Sequence, residues 1–170
     1  SIGRVKAFHG HFGMMVRTYT YMRMHGKEGI RQIAEYAVLN ANYLRARLKD
    51  TYTVPFDRIC MHEFVAEGRW ADAPDVHALD IAKRLMDYNF HPPTNYFPLI
   101  VHEALMIEPT ETESKQTLDA FADTLIKIAE EARNEPGLLK TAPHNTPVGR
   151  LDEVRAAKEL VLCCGVGPLE

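Results

Sequence analysis

Acidic residues cluster in the segment EALMIEPTETESK, from Glu103 to Lys115, and could bind a metal ion or transfer protons. Metal sites require side chains that converge on one point. Thr110 followed by Glu113 instead matches the capping box, in which a hydroxyl and a carboxylate each accept a backbone N–H at a helix start. The segment therefore predicts a strand end and a helix start without a metal site. Glu108 remains a candidate site residue, because strand ends often present polar side chains to a cleft.

Other reactive side chains occur in pairs that complete no known motif. His62-Glu63 and His102-Glu103 resemble the start of a His-Glu-x-x-His zinc site, but the second histidine is absent from both. Cys60 lies two positions before His62, where a small buried thiol is expected. The sequence also contains no Gly-x-Ser-x-Gly nucleophile motif. The residues alone indicate neither a zinc peptidase nor a serine hydrolase.

The composition indicates an ordinary globular chain of 170 residues, sufficient for one domain or for a domain with a helical extension. A net charge of −3 without a dense basic cluster argues against nucleic acid or a membrane as partner. Three cysteines, of which Cys163 and Cys164 are adjacent, predict no disulfide framework and favour the cytoplasm. The start at Ser1 suggests a piece of a longer chain.

The N-terminal region predicts two helices. A short helix is expected over Met14–Met24, and Gly26 and Gly29 are expected to break the chain after it. Apolar residues at three- and four-residue spacing then predict a second helix, over Gly29–Lys49, with one long buried face.

The remainder predicts an α+β fold with a short antiparallel or mixed sheet that helices cover on one face. The helix predicted over Leu118–Ala132 is expected to end at Glu135-Pro136-Gly137. A loop is expected to follow over Leu138–Pro147. The predicted elements are a strand over Ile59–Val65, a helix from the N-cap Asp75 to about Asn89, strands over Tyr96–Val101 and Ala104–Ile107, and helices over Leu118–Ala132 and Leu151–Leu160.

Six blocks in order resemble the C-terminal part of the glycine dehydrogenase (decarboxylating) family, the P-proteins of the glycine cleavage system. The blocks are SIGRVKAFHGHFG, AVLNANYLRARLKD, CMHEFV, LDIAKRLMDYNFHPPTNYFPLIV, EALMIEPTETESK and LDEVRAAK. CMHEFV after PFDRI is most similar to subunit 2 of the split bacterial form. The resemblance implies a fold-type-I pyridoxal phosphate enzyme that decarboxylates glycine and transfers its aminomethyl group to the lipoyl group of H-protein.

The resemblance also implies that the Schiff-base lysine lies upstream of this chain. None of the eight lysines follows a histidine, as the family's catalytic lysine does. Lys115 follows Ser114 at a predicted helix start, where solvent would keep its ammonium charged. No catalytic residue is therefore expected in this chain, and it should neither bind the cofactor covalently nor act alone.

Site residues follow from the resemblance by position. Gly10, His11 and Gly13 are implied to lie in a loop near the cofactor, although the family usually has asparagine where this chain has His11. The residues implied to line the substrate channel are His62, Glu63, His91, Thr94, Glu108 and Thr110.

Two functional hypotheses remain open at this point. In the first, residues 1–50 are helices from the end of the large domain, and residues 51–170 form the small domain that narrows the cleft. The partners would be P-protein subunit 1 and lipoylated H-protein, and the exposed helices would make the isolated chain self-associate. In the second, the chain is a non-catalytic interaction module that retained the fold.

Overall fold

The computed structural model describes residues 1–160, so Cys163 and Cys164 lie outside it. Within this range no helix combines the length and apolarity needed to cross a membrane. The elements are α1 (Phe12–Leu48), β1 (Phe64–Glu67), α2 (Ala78–Asp87), β2 (Thr94–Asn95), β3 (Ala104–Ile107), α3 (Lys115–Asn134), α4 (Pro136–Thr141) and α5 (Glu153–Lys158).

Helix α1 contains the two predicted N-terminal helices, joined at a kink. Gly26 has φ 63° and ψ −177°, a backbone conformation that a glycine adopts far more readily than other residues. Gly29 remains helical, so only one of the two predicted breaks occurs. The predicted buried face is also shorter than expected, because the buried positions begin only at Asn40. The first half of α1 therefore projects away from the core.

The sheet has three antiparallel strands in the order β1-β3-β2, as the α+β prediction requires. β3 spans the predicted residues, but β1 begins five residues later than predicted. The predicted strand Tyr96–Val101 is wrong. Tyr96 has a positive φ, and Pro98 has no N–H and accepts a turn hydrogen bond from Val101 through its carbonyl.

Two predicted helix caps are wrong because nearby residues take their place. His77 rather than Asp75 is the N-cap of α2, and the Asp80 carboxylate accepts the His77 N–H at 3.0 Å. Ser114 is the N-cap of α3, with its Oγ accepting the Thr117 N–H at 3.1 Å. The acidic stretch thus forms a turn before the helix and does not form the predicted Thr110–Glu113 capping box.

The core lies between one face of the sheet and the helices. Phe64 pairs with Ile107 and Ala66 with Leu105, so these side chains share the face that packs on α1, α2 and α3. Leu44 and Leu48 from the end of α1 join the same core. The division near residue 50 stays a prediction.

The segment after α3 contains more helix than predicted. Pro136 starts the short helix α4, which extends to Thr141 and so overlaps the start of the expected loop, and Leu139 from this helix is fully buried. α5 lies within the predicted Leu151–Leu160 helix, and its N-cap Asp152 accepts the Arg155 N–H.

Candidate functional site

A cleft of about 270 Å³ opens between the end of β3, the start of α3 and the segment before β2. Its walls are mainly apolar, with five polar side chains at the mouth. The lining residues are Leu44, Phe90, His91, Pro92, Pro93, Ile107, Glu108, Pro109, Thr110, Glu113, Thr117, Leu118 and Phe121. A small apolar cleft with a few convergent polar groups is typical of a ligand site.

Three of the six predicted channel residues line this cleft. His91 precedes β2, and Glu108 and Thr110 follow β3. The Thr110 carbonyl accepts hydrogen bonds from the Glu113 N–H at 3.3 Å and from the Asn40 side chain at 2.8 Å. These contacts fix the turn that carries Glu108 and Thr110.

A fourth predicted residue, His62, faces the cleft residue Glu108. Its Nε2 lies 3.9 Å from Oε1 of Glu108, and both side chains are more than half exposed. His62 comes from the loop before β1 and Glu108 from the end of β3, so the sheet brings them together. At this distance the imidazole and the carboxylate make no direct hydrogen bond, but both present polar atoms to the same side of the cleft.

The other two predicted channel residues do not line the cleft. Glu63 is half-buried directly before β1, and Thr94 is exposed in β2 opposite Met106. Both lie next to cleft residues in the chain or the sheet, without contributing to the cavity wall.

Sequence reasoning missed two polar lining residues and one residue that supports them. Glu113 had been assigned to a helix cap, and Thr117 lies in the first turn of α3. Asn40 is buried in α1 and reaches the Thr110 carbonyl across 70 positions of sequence. The unusual presence of asparagine within a helical apolar repeat was the one available signal for Asn40.

The predicted cofactor loop lies apart from this cleft. His11 is the N-cap of α1, and its carbonyl accepts the N–H groups of Met14 and Met15. Gly10 has φ 114°, which favours glycine, and His11 is exposed. Gly13 is also exposed, but it lies in the first turn of α1, so its predicted loop position is wrong. None of the cleft residues comes from this segment.

Lys115 does not fit covalent cofactor attachment. Its ammonium donates to Asp119 Oδ2 at 2.7 Å and lies over the Tyr43 ring. The hydrogen bond to Asp119 raises the pKa of Lys115, whereas a nucleophilic amine must lose its proton. Among residues 1–160, no group of three His, Cys, Asp or Glu side chains is placed to hold a metal ion.

The strongest buried electrostatic network lies away from the cleft, around Asp87. Its carboxylate accepts the backbone N–H groups of His144 and Asn145, the guanidinium of Arg84 and the ring of His144. Burial alone would raise the pKa of Asp87, but these donors outweigh it and the pKa lies below its usual value. This network fixes the segment after α4 and supplies stability.

The comparisons with known proteins identify the family. The family described as glycine dehydrogenase, C-terminal domain, matches residues 33–144, which includes the cleft and its supporting helix. The chain belongs to this family. The resemblance seen in the sequence blocks is therefore confirmed.

Relatives in this family cover almost the whole chain. It is 62% identical over 162 residues to a probable glycine dehydrogenase (decarboxylating) subunit 2 of Caldanaerobacter subterraneus subsp. tengcongensis, and 59% identical to one of Listeria innocua. Each match covers 95% of this chain and 33% of the relative. The chain thus spans about a third of the length of these relatives.

The fold is shared with a solved member of the glycine cleavage system. The crystal structure of glycine decarboxylase (P-protein), in inhibitor-bound form, matches with a TM-score of 0.55 and 20% identity. The match covers 64% of this chain and 24% of that one. It supports the α+β architecture of the family domain.

Proposed function

We propose that this chain is the C-terminal portion of a pyridoxal phosphate-dependent glycine decarboxylase of the subunit 2 type. Joined to the rest of the protein, it takes part in decarboxylating glycine and transferring the aminomethyl group to the lipoyl group of H-protein. The observation that carries this proposal is the 57–62% identity, over 162 residues, to relatives named as subunit 2 of this enzyme.

The cleft at the end of β3 is proposed as part of the substrate channel. His91, Glu108 and Thr110 line it and His62 faces Glu108, which supports the role of these four residues. The apolar walls would exclude water, and His62 and Glu108 would offer polar contacts to a substrate at the mouth. Glu63 and Thr94, beside the cleft, complete the proposed channel set.

The cofactor is proposed to bind mainly to the part of the protein outside this chain. Pyridoxal phosphate, when bound, acts as the electron sink for loss of carbon dioxide. Gly10 and His11, in the exposed segment before α1, and Gly13, in the first turn of α1, are proposed to approach it. The ion pair of Lys115 with Asp119 supports the proposal that the attachment lysine lies elsewhere in the protein.

The organisation of the whole protein is a proposal of the same kind. Residues 1–50 would belong to the end of the large domain and residues 51–170 to the small domain. The name "subunit 2" of the relatives supports P-protein subunit 1 as a partner, with lipoylated H-protein as the second partner and glycine as substrate. The cytoplasm is the proposed location.

A chimera tests this function directly. The matched third of the Listeria innocua relative is replaced by this chain, and release of carbon dioxide from glycine is measured with subunit 1 and H-protein present. We expect the chimera to retain activity and the Glu108→Gln variant to lose about tenfold or more, because a cleft group would be misplaced. Glu130→Gln, on the exposed side of α3, is the matched control and should retain full activity.

The outcome also decides between the two hypotheses. A chimera that folds and binds subunit 1 but releases no carbon dioxide would refute the enzymatic role and support the interaction module. Equal activity of Glu108→Gln and Glu130→Gln would remove the cleft from the proposal.

A further inference from the structure

We propose that Asn40 and Asn42 of helix α1 are positioning residues that hold the two loops carrying His62 and Glu108 across the cleft mouth. The effect on catalysis rests on the proposed function, whereas the effect on the loops does not. Neither asparagine lines the cleft. Each side chain instead forms hydrogen bonds to the backbone of a loop, Asn40 at Thr110 and Asn42 at Cys60.

Asn40 holds the loop that follows β3. Its side chain is buried, with 8% of the residue exposed, and its Nδ2 donates to the Thr110 carbonyl at 2.8 Å. Glu108 lies two residues before Thr110 and lines the cleft. The bond is costly to break because the Asn40 amide is buried and would lose its acceptor without gaining water.

Asn42 holds the loop that precedes β1. Its Nδ2 donates to the Cys60 carbonyl at 2.8 Å, and its Oδ1 accepts the Cys60 N–H at 3.0 Å. The same Nδ2 also donates to the Val38 carbonyl within α1, at 2.8 Å. The amide therefore pairs with both backbone groups of Cys60, as a neighbouring strand would, and fixes the loop two residues before His62.

The two asparagines reach different loops because of the helix geometry. Residues two apart on a helix point about 200° apart around its axis. Asn40 and Asn42 therefore extend from opposite sides of helix α1. The 3.9 Å separation of His62 Nε2 and Glu108 Oε1 is set by α1 as well as by the sheet.

The residue type supports a specific role. Asparagine is a poor helix former because its side chain competes for backbone hydrogen bonds, and leucine or alanine would suit these positions better for the helix alone. An amide supplies, on two separate atoms, the donor and the acceptor that the Cys60 backbone pairs with. Simple packing explains neither choice.

Amide hydrogen exchange on the 170-residue chain tests the two tethers. Asn42→Ala should speed exchange of the Cys60 N–H by about tenfold, the effect of losing one hydrogen bond. Asn40→Ala should similarly speed exchange of the Glu113 N–H, which shares the Thr110 carbonyl with Asn40. Asn145→Ala, which removes a side chain bonded to the Asp87 carbonyl, is the matched control and should change neither.

A second variant keeps the test valid if Asn42→Ala fails to fold. Asn42→Asp retains the acceptor for the Cys60 N–H but loses the donor to its carbonyl. The Cys60 thiol, now half-buried, should then react faster with a thiol reagent, as measured on the Cys60 peptide. Unchanged exchange and unchanged thiol reactivity would overturn the positioning role.

A double-variant cycle in the chimera tests the catalytic consequence. If Asn40 acts through Glu108, Asn40→Ala combined with Glu108→Gln should be no slower than Glu108→Gln alone, whereas Asn145→Ala with Glu108→Gln should show independent effects that multiply. If the rate losses of Asn40→Ala and Glu108→Gln multiply in the double variant, the proposal that Asn40 acts through Glu108 is wrong. An inactive unmodified chimera would instead refute the proposed function, and the exchange rates alone would then decide whether the tethers exist.

Discussion

The N-terminal arm, residues 1–27, and the compact domain after it differ in how they place apolar side chains. The arm exposes almost every side chain, including Phe12, Met15 and Met22, whereas the domain buries a continuous apolar core. Charge divides in the same way. The arm carries five Lys and Arg residues and no acid, and all 23 acidic residues follow it, a separation that the net charge conceals. The domain packs apolar side chains into a core of its own, whereas the arm leaves its apolar side chains exposed.

Truncating one large apolar side chain in each region gives the largest expected contrast. Leu105→Ala, in β3, should lower the free energy of unfolding by about 3 kcal/mol because it leaves a cavity in the core. Met22→Ala in the arm should change it by less than about 0.5 kcal/mol. Denaturant unfolding of both variants measures the difference. Similar losses would show that the arm is packed against the domain.

The Asp87 network gives the next largest effect, through pH. The folded pKa of Asp87 lies below its unfolded value, so its stabilisation is present above the unfolded pKa of about 4 and is lost as pH falls through the folded pKa. Asp87→Asn should therefore destabilise the chain by about 2 kcal/mol at pH 7 and by less at pH 3.

Unfolding by denaturant at several pH values measures this dependence. Asp75→Asn is the control, because that carboxylate is exposed and, among residues 1–160, pairs only with Lys140, at 3.9 Å. A constant difference between Asp87→Asn and the unmodified chain across the range would contradict the assigned stabilisation.

The smallest expected effect concerns association of the isolated chain. The exposed apolar arm should make it self-associate, and Met15→Gln with Met22→Gln should weaken the association by about tenfold, or about 1.4 kcal/mol. Sedimentation at several concentrations measures the constant. Met61→Gln, exposed on the domain, should leave it unchanged. A compact monomer at high concentration would refute the role given to the arm.

Local patterns were sufficient for much of the fold. The three- and four-residue spacing predicted α3. The residues that carry it are Leu118, Phe121, Leu125 and Ile128, all buried except Phe121, which is partly buried. The apolar run from Ala104 to Ile107 predicted β3 with its observed bounds. Such features depend on periodicity within one element, which the sequence contains in full.

The errors arose where distant contacts decide the structure. Residues 59–63 have strand-like side chains, but the Cys60 backbone pairs with the Asn42 side chain rather than with a strand. Tyr96 adopts a positive φ that no local pattern reveals. The predicted channel residues His91, Glu108 and Thr110 meet in the cleft, but Asn40, 70 positions from its partner, could be assigned only once the fold was known.

Because the kink in α1 lies at Gly26, the first part of this helix changes direction at a single residue. The helix from Phe12 to Gly26 is about 21 Å long, so turning it by about 10° would shift its tip by about 4 Å. Apart from its chain neighbours and the adjacent helix backbone, no atom lies within 4 Å of the place where a Cβ would be at this glycine. The direction of the helix from Phe12 to Gly26 therefore depends on the backbone torsions at one residue, which precedes Asn40, the first buried residue of α1.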